Sequence, residues 1–372
     1  MKRIFFPSLV LIFLLGSCQS RYEVSDLQTI KMKKDEIPAL NDLNIKLANV
    51  YSFENPDGGA LTFVWKVIKA GDVYFLIDKH SNGGRVLSFT LEGRSLNNIG
   101  KIGKGPGEYL NALDFEIDEN AGRIYVLSEA GKILEYDFSG LLMGEYSSKY
   151  YSSSFGLNAS GNFYQYATSS EALNKHGIFE FDKKNNRHKT VFQKHTEWYP
   201  IEELNFFRYK ERVFFREAFS NTIFEIKEGE LIPIFFFDWQ DKNYKKEFDN
   251  LDLVSLFEKM AFEGDFYSFR NMVLNDQLLY ASFGDELNQL TYHVFHYHKK
   301  GETKAFFTEN QDGFFVAVVI NEKNQPGFFL DGLNLSKFFD GNPSVFDDFS
   351  SYQFCEESSY LVFFDVSSLE SH

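Results

Sequence analysis

The stretch from Ile99 to Tyr146 leaves a folding chain few choices. It holds a glycine loop, Gly100 to Gly107, followed by four short apolar runs in fewer than 50 residues. In the first run Leu113, Phe115 and Ile117 alternate with Asp114 and Glu116. Asn120-Ala121-Gly122 turns into Ile124 to Leu127, Gly131 precedes Ile133 to Phe138, and Ser139-Gly140 leads into Leu141 to Tyr146. Period-2 alternation broken by Asn, Gly and Ser spells an antiparallel meander. Four such strands, entered from a preceding unit, describe one blade of a β-propeller.

The same grammar recurs along the chain. A first blade is read over Phe63–Ile68, Val73–Asp78 and Arg85–Thr90, with a fourth strand after Glu92-Gly93. Later blades have second strands beginning near 163, 213 and 278, and a last one runs from Phe314 to Val366. The expected fold is all-β: a six-bladed propeller of four-stranded antiparallel blades, five and seven being the neighbouring counts. Closing the ring requires the lead-in around Ile45, Leu47 and Val50 to complete the last blade and remove a free edge. Asp249 to Ala261 breaks the pattern. Leu253, Leu256, Phe257 and Met260 stand at helical spacing, with Asp249 or Asn250 as N-cap, so a helical insertion is expected at about 249–261. It reads as a helix packed on the rim, or else as a lid.

The first residues are an address. Lys2 and Arg3 precede an apolar run from Ile4 to Leu15, too short for a span of about 20 residues. Leu15-Gly16-Ser17-Cys18 resembles a bacterial lipobox, which implies cleavage after residue 17 and acylation of Cys18. Each buried CH₂ of such acyl chains contributes about 0.8 kcal/mol of membrane affinity. The chain therefore divides into a signal peptide (1–17), a lipidated cysteine with tether and lead-in (18–44) and the propeller (45–372). Gln19 in place of Asp favours outer-membrane sorting, and no acidic cluster follows Cys18, so the expected orientation faces the periplasm.

With Cys18 lipidated, Cys355 has no partner for a disulfide; it reads as a buried strand residue. The formal charge of −15 becomes −17 without Lys2 and Arg3, which argues against nucleic acid. Phe and Tyr number 43 and 20, far more than a ligand site needs, so most must fill contacts between blades, as at Phe214-Phe215 and Phe235-Phe236-Phe237.

Ile102-Gly103-Lys104-Gly105-Pro106-Gly107-Glu108-Tyr109, with Ile124-Tyr125-Val126 and Ile133 to Gly140, resembles the six-bladed propeller lipoproteins of Bacteroides-type bacteria. Their signature is G-x-G-P-G-E-[FY], followed by a repeat related to NHL propellers. The Asp331-Gly332-Leu333 loop is similar to their C-terminal loop. The resemblance implies export, lipid attachment and a six-bladed ring, and no established activity.

Chemical signatures are sparse. Gly103, Gly105, Pro106 and Gly107 read as a structural turn between blades: Pro106 removes a phosphate-binding N–H, and a strand follows rather than a helix. Asp114, Glu116 and Asp118 lack calcium-loop spacing and read as the outward face of a strand. Of His293, His296 and His298 only the last two share a strand face, so no metal site is assigned. No catalytic residue and no cofactor are assigned either. The expected binding face carries the loops Asp78–Arg85, Lys104–Tyr109 and Ser128–Gly131, with Asp78, His80, Arg85, Glu108, Tyr109 and Glu129 as candidates. The function expected is a monomeric, non-enzymatic module binding a glycan, a peptide or an envelope protein. The alternative is a lyase or hydrolase of glycans or lactones at the channel mouth, and a third reading is a subunit of an envelope complex.

Overall fold

In the computed structural model, residues 27–43, 45–80, 83–168, 175–197, 203–217, 219–309, 316–341, 354–367 and 369 are described. The expected signal peptide (1–17), Cys18 and Gln19 lie outside them. Six four-stranded antiparallel sheets form a six-bladed propeller. The first blade comprises Val64–Ala70, Val73–His80, Gly83–Thr90 and Ser95–Ile99, and the second Ala112–Asp118, Arg123–Ser128, Lys132–Asp137 and Leu142–Ser147. The third comprises Ser152–Leu157, Phe163–Thr168, Lys175–Asp182 and Arg187–His195, and the fourth Phe206–Tyr209, Arg212–Arg216, Thr222–Lys227 and Glu230–Asp238. The fifth runs through Ser268–Leu274, Leu278–Asp285, Leu290–Tyr297 and Glu302–Glu309. The sixth takes Ala317–Ile320, Pro326–Asp331 and Ser359–Asp365 from the end of the chain, and its outer strand, Lys46–Phe53, from the beginning.

Alternation builds the ring because both faces of a blade are covered. Phe75 and Ile77 enter the core shared with the second blade, while Leu76 between them enters the core shared with the sixth. Likewise Phe214 packs toward the fifth blade and Phe215 toward the third. Each of the six interfaces has such a cluster, and burying each large side chain contributes about 1.5–3 kcal/mol. This is where the aromatic residues go.

Polar links also pass from blade to blade. Lys66 Nζ reaches Asp114 Oδ1 at 2.9 Å, and Ser154 Oγ donates to Asp114 Oδ2 at 3.0 Å. Asn205 N donates to Ser154 Oγ at 3.1 Å, Arg216 Nη1 to Phe269 O at 2.9 Å, and Asn271 Nδ2 to Ala317 O at 2.9 Å. Leu61 N closes the circuit on Ser359 Oγ at 2.7 Å.

Four sequence expectations need correction. Asp114 and Glu116 are buried rather than outward, because the strand that carries them is covered on both faces. Asp331-Gly332-Leu333 is the start of a helix, Gly332–Gly341, whose first turn is fixed by Asn334 N donating to Asp331 Oδ1 at 2.7 Å. Cys355 is exposed, in the connection that follows this helix. The insertion helix spans Leu253–Ala261, and its cap is Asp252, which accepts from Ser255 N. Asp249 and Asn250 belong to the preceding 3₁₀ turn, Lys246–Asn250. Leu256 and Met260 are buried with Phe219, Phe248 and Phe266, so this helix carries a small core of its own.

The lead-in also does more than span a gap. Gln28–Lys31 adds a parallel fifth strand to the outer edge of the fourth blade, and Ala39 bridges to Phe307 on the outer strand of the fifth. Ile30, Met32 and Ile37 enter the core between those two blades, and Leu40, Ile45 and Leu47 the next one.

Gly93 locks this strap to the first blade. Its φ is +86°, and a Cβ there would sit 2.0 Å from Ser52 O. Gly93→Ala is expected to lower stability by about 1–3 kcal/mol. Gly122→Ala is the comparison: φ is +62° with nothing within 4 Å, so only the backbone penalty applies. Urea midpoints of the two variants check this, and equal midpoints would refute the packing argument.

Candidate functional site

The innermost strands enclose a cavity of about 760 Å³ on the propeller axis. It is lined by inner-strand residues of the first blade from Trp65 to Ala70, of the fourth from Phe207 to Tyr209, and of the fifth from Asn271 to Leu274. The turns after the inner strands, at Glu119-Asn120 and Lys210-Glu211, form its mouth and are exposed. The volume falls in the range of small-molecule pockets. Trp65, Phe207, Tyr209 and Met272 give it ring faces and apolar wall, and Lys66, Glu116 and Arg208 give it charge.

Lys66 is the pivot of the wall. Its ammonium contacts Asp114 at 2.9 Å, Glu116 at 2.7 Å and Phe115 O at 2.8 Å. Burial alone would lower the Lys66 pKa, but the two carboxylates outweigh burial and hold it above its usual value. Burial pushes the Glu116 carboxyl up despite Lys66. Arg208 donates through Nη1 to Ile117 O, linking the fourth blade to the second, while its Nε is buried without a hydrogen-bond partner. At the mouth Lys210 pairs with Asp276 at 2.6 Å and Arg212 with Glu225 at 2.8 Å.

A second polar cluster occupies the opposite face, where second strands end. Glu217 receives Tyr166 Oη at 3.1 Å and Lys194 Nζ at 2.9 Å, with His176 Nε2 at 3.5 Å. Lys194 also meets Asp249 at 2.9 Å, which ties the insertion to the third and fourth blades. Burial would raise the Glu217 carboxyl, but His176 and Lys194 hold it below its usual range. Nothing in the spacing of these residues announces the cluster; the ring topology assembles it.

The sequence candidates lie on that opposite face, away from the cavity mouth. Asp78 is fully buried; it accepts from Thr62 N at 2.8 Å and Phe63 N at 3.1 Å, and from Arg85 Nη2 at 3.1 Å. Arg85 also reaches Asn55 Oδ1 at 3.0 Å, so the Asp78–Arg85 pair pins the chain that enters the first blade. His80 ends its strand, and its side chain lies outside the described residues.

Glu108 turns back on its own loop, accepting from Gly105 N at 2.7 Å; a Cβ on Gly103 would stand 2.1 Å from its Oε2. Gly107 has a φ of +71°, and its carbonyl accepts from Tyr136 Oη at 2.9 Å. Tyr109 is buried, its hydroxyl donating to Ile99 O at 2.8 Å, and burial pushes its pKa up to about 12. Arg85 and Tyr109 both line a cleft of about 380 Å³. Glu129 is exposed, 3.5 Å from Asn111 Nδ2.

The histidines separate. His293 is buried between Tyr280 Oη at 3.0 Å and Thr308 Oγ1 at 3.0 Å, and His296 lies between Thr303 Oγ1 at 2.9 Å and Gln28 Oε1 at 3.0 Å. Burial lowers their pKa values to about 3 and about 4, so both are neutral. His298 contacts Asp276 O at 2.9 Å. Among the described residues no group of His, Cys, Asp and Glu is placed to hold a metal ion, and no helix is long and apolar enough to cross a membrane.

The chain was compared with known proteins at the level of structure and of sequence. A crystal structure of a Bacteroides fragilis protein, described provisionally as exported, aligns with a TM-score of 0.68 at 17% identity, over 92% of this chain and 99% of that one. The WD40 repeats of RRP9 align with a TM-score of 0.47 at 11% identity, over 86% of this chain and 100% of theirs. No curated protein sequence matches. Residues 51–358 match the family described as "Domain of unknown function (DUF4934)". That match covers most of the chain, from the outer strand of the last blade almost to its third, and the protein belongs to the DUF4934 family.

Proposed function

We propose that this protein is an envelope lipoprotein whose propeller binds a ligand in its axial cavity without altering it. The cavity carries the reading: about 760 Å³, with a mouth at the inner-strand turns and ring-bearing walls. Four of its five wall cations are committed to carboxylates, Lys66 to Asp114 and Glu116, Lys69 to Glu322, Lys210 to Asp276 and Arg212 to Glu225. Groups neutralised in this way position and recognise a ligand; they are not poised to exchange protons with it. Export is supported by the apolar run after Lys2-Arg3 and by the exported B. fragilis relative. Lipidation at Cys18, outer-membrane placement and a periplasmic orientation complete the proposal.

The full-length chain in detergent, screened by thermal shift against glycans, peptidoglycan fragments and peptides, tests the binding role. A ligand at 100 times its Kd adds about 2.7 kcal/mol of stability. Mass spectrometry then shows whether the ligand is intact. A cleaved ligand would favour the second reading, a glycan-cleaving enzyme, for which Glu116 is the candidate acid: it lines the cavity, and burial pushes its carboxyl up.

Lipidation has its own test. Cys18→Ala should abolish incorporation of labelled palmitate and release the protein from the membrane fraction. Retention of the variant in that fraction would count against the anchor.

A further inference from the structure

We propose that the axial cavity takes an acidic saccharide, entering from the mouth at Glu119 and Lys210, with its acidic group seated on Arg208 and a sugar ring against Trp65 or Tyr209. The proposal rests on the binding role above and names its ligand class.

Three observations carry it. The first is the state of Arg208. Its Nη1 donates to the neutral Ile117 carbonyl, and its Nε is buried without a hydrogen-bond partner. A guanidinium left in this way on a cavity wall lacks the planar, two-point partner that carboxylates and sulfates supply. Glu116 feels its charge, but that carboxylate is hydrogen-bonded to Lys66 at 2.7 Å.

The second is the charge balance of the lining. Five Lys or Arg side chains and three Glu line the cavity, in a chain whose formal charge is −15. The other four cations are engaged: Lys66 with two carboxylates, Lys69 with Glu322, Lys210 with Asp276 and Arg212 with Glu225. Arg208 is the cation of the lining whose hydrogen bond goes to a carbonyl instead of a carboxylate.

The third is the wall itself. Trp65 and Tyr209 are half-buried and stand on the first and fourth blades, either side of the axis. Lys79 Nζ stacks 4.7 Å from the centroid of Trp65, and Lys210 Nζ 5.2 Å from that of Tyr209. A ring with an apolar face and an acidic substituent matches this combination of aromatic face and cation. A neutral ligand of the same shape would leave the guanidinium without an anionic partner.

The test is calorimetric titration of the full-length chain in detergent with matched probes. Trigalacturonate is paired with its methyl ester, and a sulfated trisaccharide with its unsulfated parent. The acidic member of a pair should bind at least roughly tenfold more tightly than the neutral one. Arg208→Gln should erase that preference, and Arg208→Lys should restore part of it. The wild-type preference should also shrink several-fold between about 0.05 and 0.2 M salt, a readout that needs no variant.

Equal affinity for acidic and neutral members would overturn the acidic assignment and leave the binding role standing. So would a preference that survives Arg208→Gln in a folded variant. Silence from every probe, with the protein folded, would overturn the saccharide assignment, and the binding role would fall only if the wider thermal-shift panel were silent too.

Discussion

Replacing Lys66 by methionine should destabilise the protein by roughly 3–5 kcal/mol at neutral pH. The substitution keeps the length and apolar stem of the side chain but strips Asp114 and Glu116 of their cation. Both carboxylates are fully buried, at 0% and 1% exposure, so water cannot replace the ammonium. An unpaired buried charge costs far more than the net worth of the pair it came from, which is why a charge-neutral alternative is the informative control. The triple variant Lys66→Met, Asp114→Asn, Glu116→Gln should recover much of the loss.

The deficit also has a sign with pH. Burial already raises the Glu116 carboxyl, and removing Lys66 raises it further. A carboxyl raised in the folded state takes up its proton there before the unfolded chain does. The penalty is therefore full above the raised folded value and shrinks as pH falls through it toward the unfolded value near 4.3. Urea denaturation of wild type and variant at pH 7 and pH 5 checks both claims. A variant with the wild-type midpoint at pH 7, or with a gap that widens on acidification, would sink the account.

Deleting the chain through Phe53 should be more damaging still. It removes Ile45, Leu47 and Phe53, all buried, and uncovers the third strand of the sixth blade along its whole register. At about 1.5–3 kcal/mol each, the three side chains alone contribute on the order of 5–9 kcal/mol. That rivals the total stability of a typical domain, about 5–15 kcal/mol. The truncated protein is expected to lose its cooperative melting transition and to aggregate through the open edge. A deletion through residue 26 should melt as the full chain does. Calorimetry of the two decides the matter, and a cooperative transition in the longer deletion would show that the ring does not depend on this strand.

The blades were legible in the sequence because alternation at Leu113-Phe115-Ile117, and short apolar runs such as Val73 to Ile77, are broken repeatedly by Asn, Gly and charged turn residues. Closure by the lead-in was legible for the same reason, at Ile45, Leu47 and Val50. Alternation misleads, however, where the second face is polar but dry. Asp114 and Glu116 look solvated in one dimension, and only the packing of the first blade against the second brings Lys66 to them. Gln28–Lys31 is short and polar, and its strand exists because the fourth blade offers an edge. The helix at Gly332–Gly341 hides behind a glycine at its first position, which local propensity scores against a helix.

The candidate site was less legible than the fold. Trp65, Arg208 and Asn271 are far apart in the chain and share no motif, so the cavity is a property of the ring as a whole. The candidates drawn from loop chemistry, Asp78 and Arg85 above all, bond to each other and to the chain entering the first blade.

The strap has a consequence for the order in which the protein is made. Lys46–Phe53 finds its partner only in Ser359–Asp365, about three hundred residues later. An emerging chain can complete its early blades in sequence, but the seam between the first and the last stays open until synthesis is nearly finished. Until then Leu47 lacks its seat in the sixth blade, and Phe53 has only its first-blade neighbours Tyr74 and Phe89. Ring closure thus acts as a timer: the native state is unreachable for every incomplete product, and a chain that terminates before Ser359 carries an exposed edge by which quality control can recognise it.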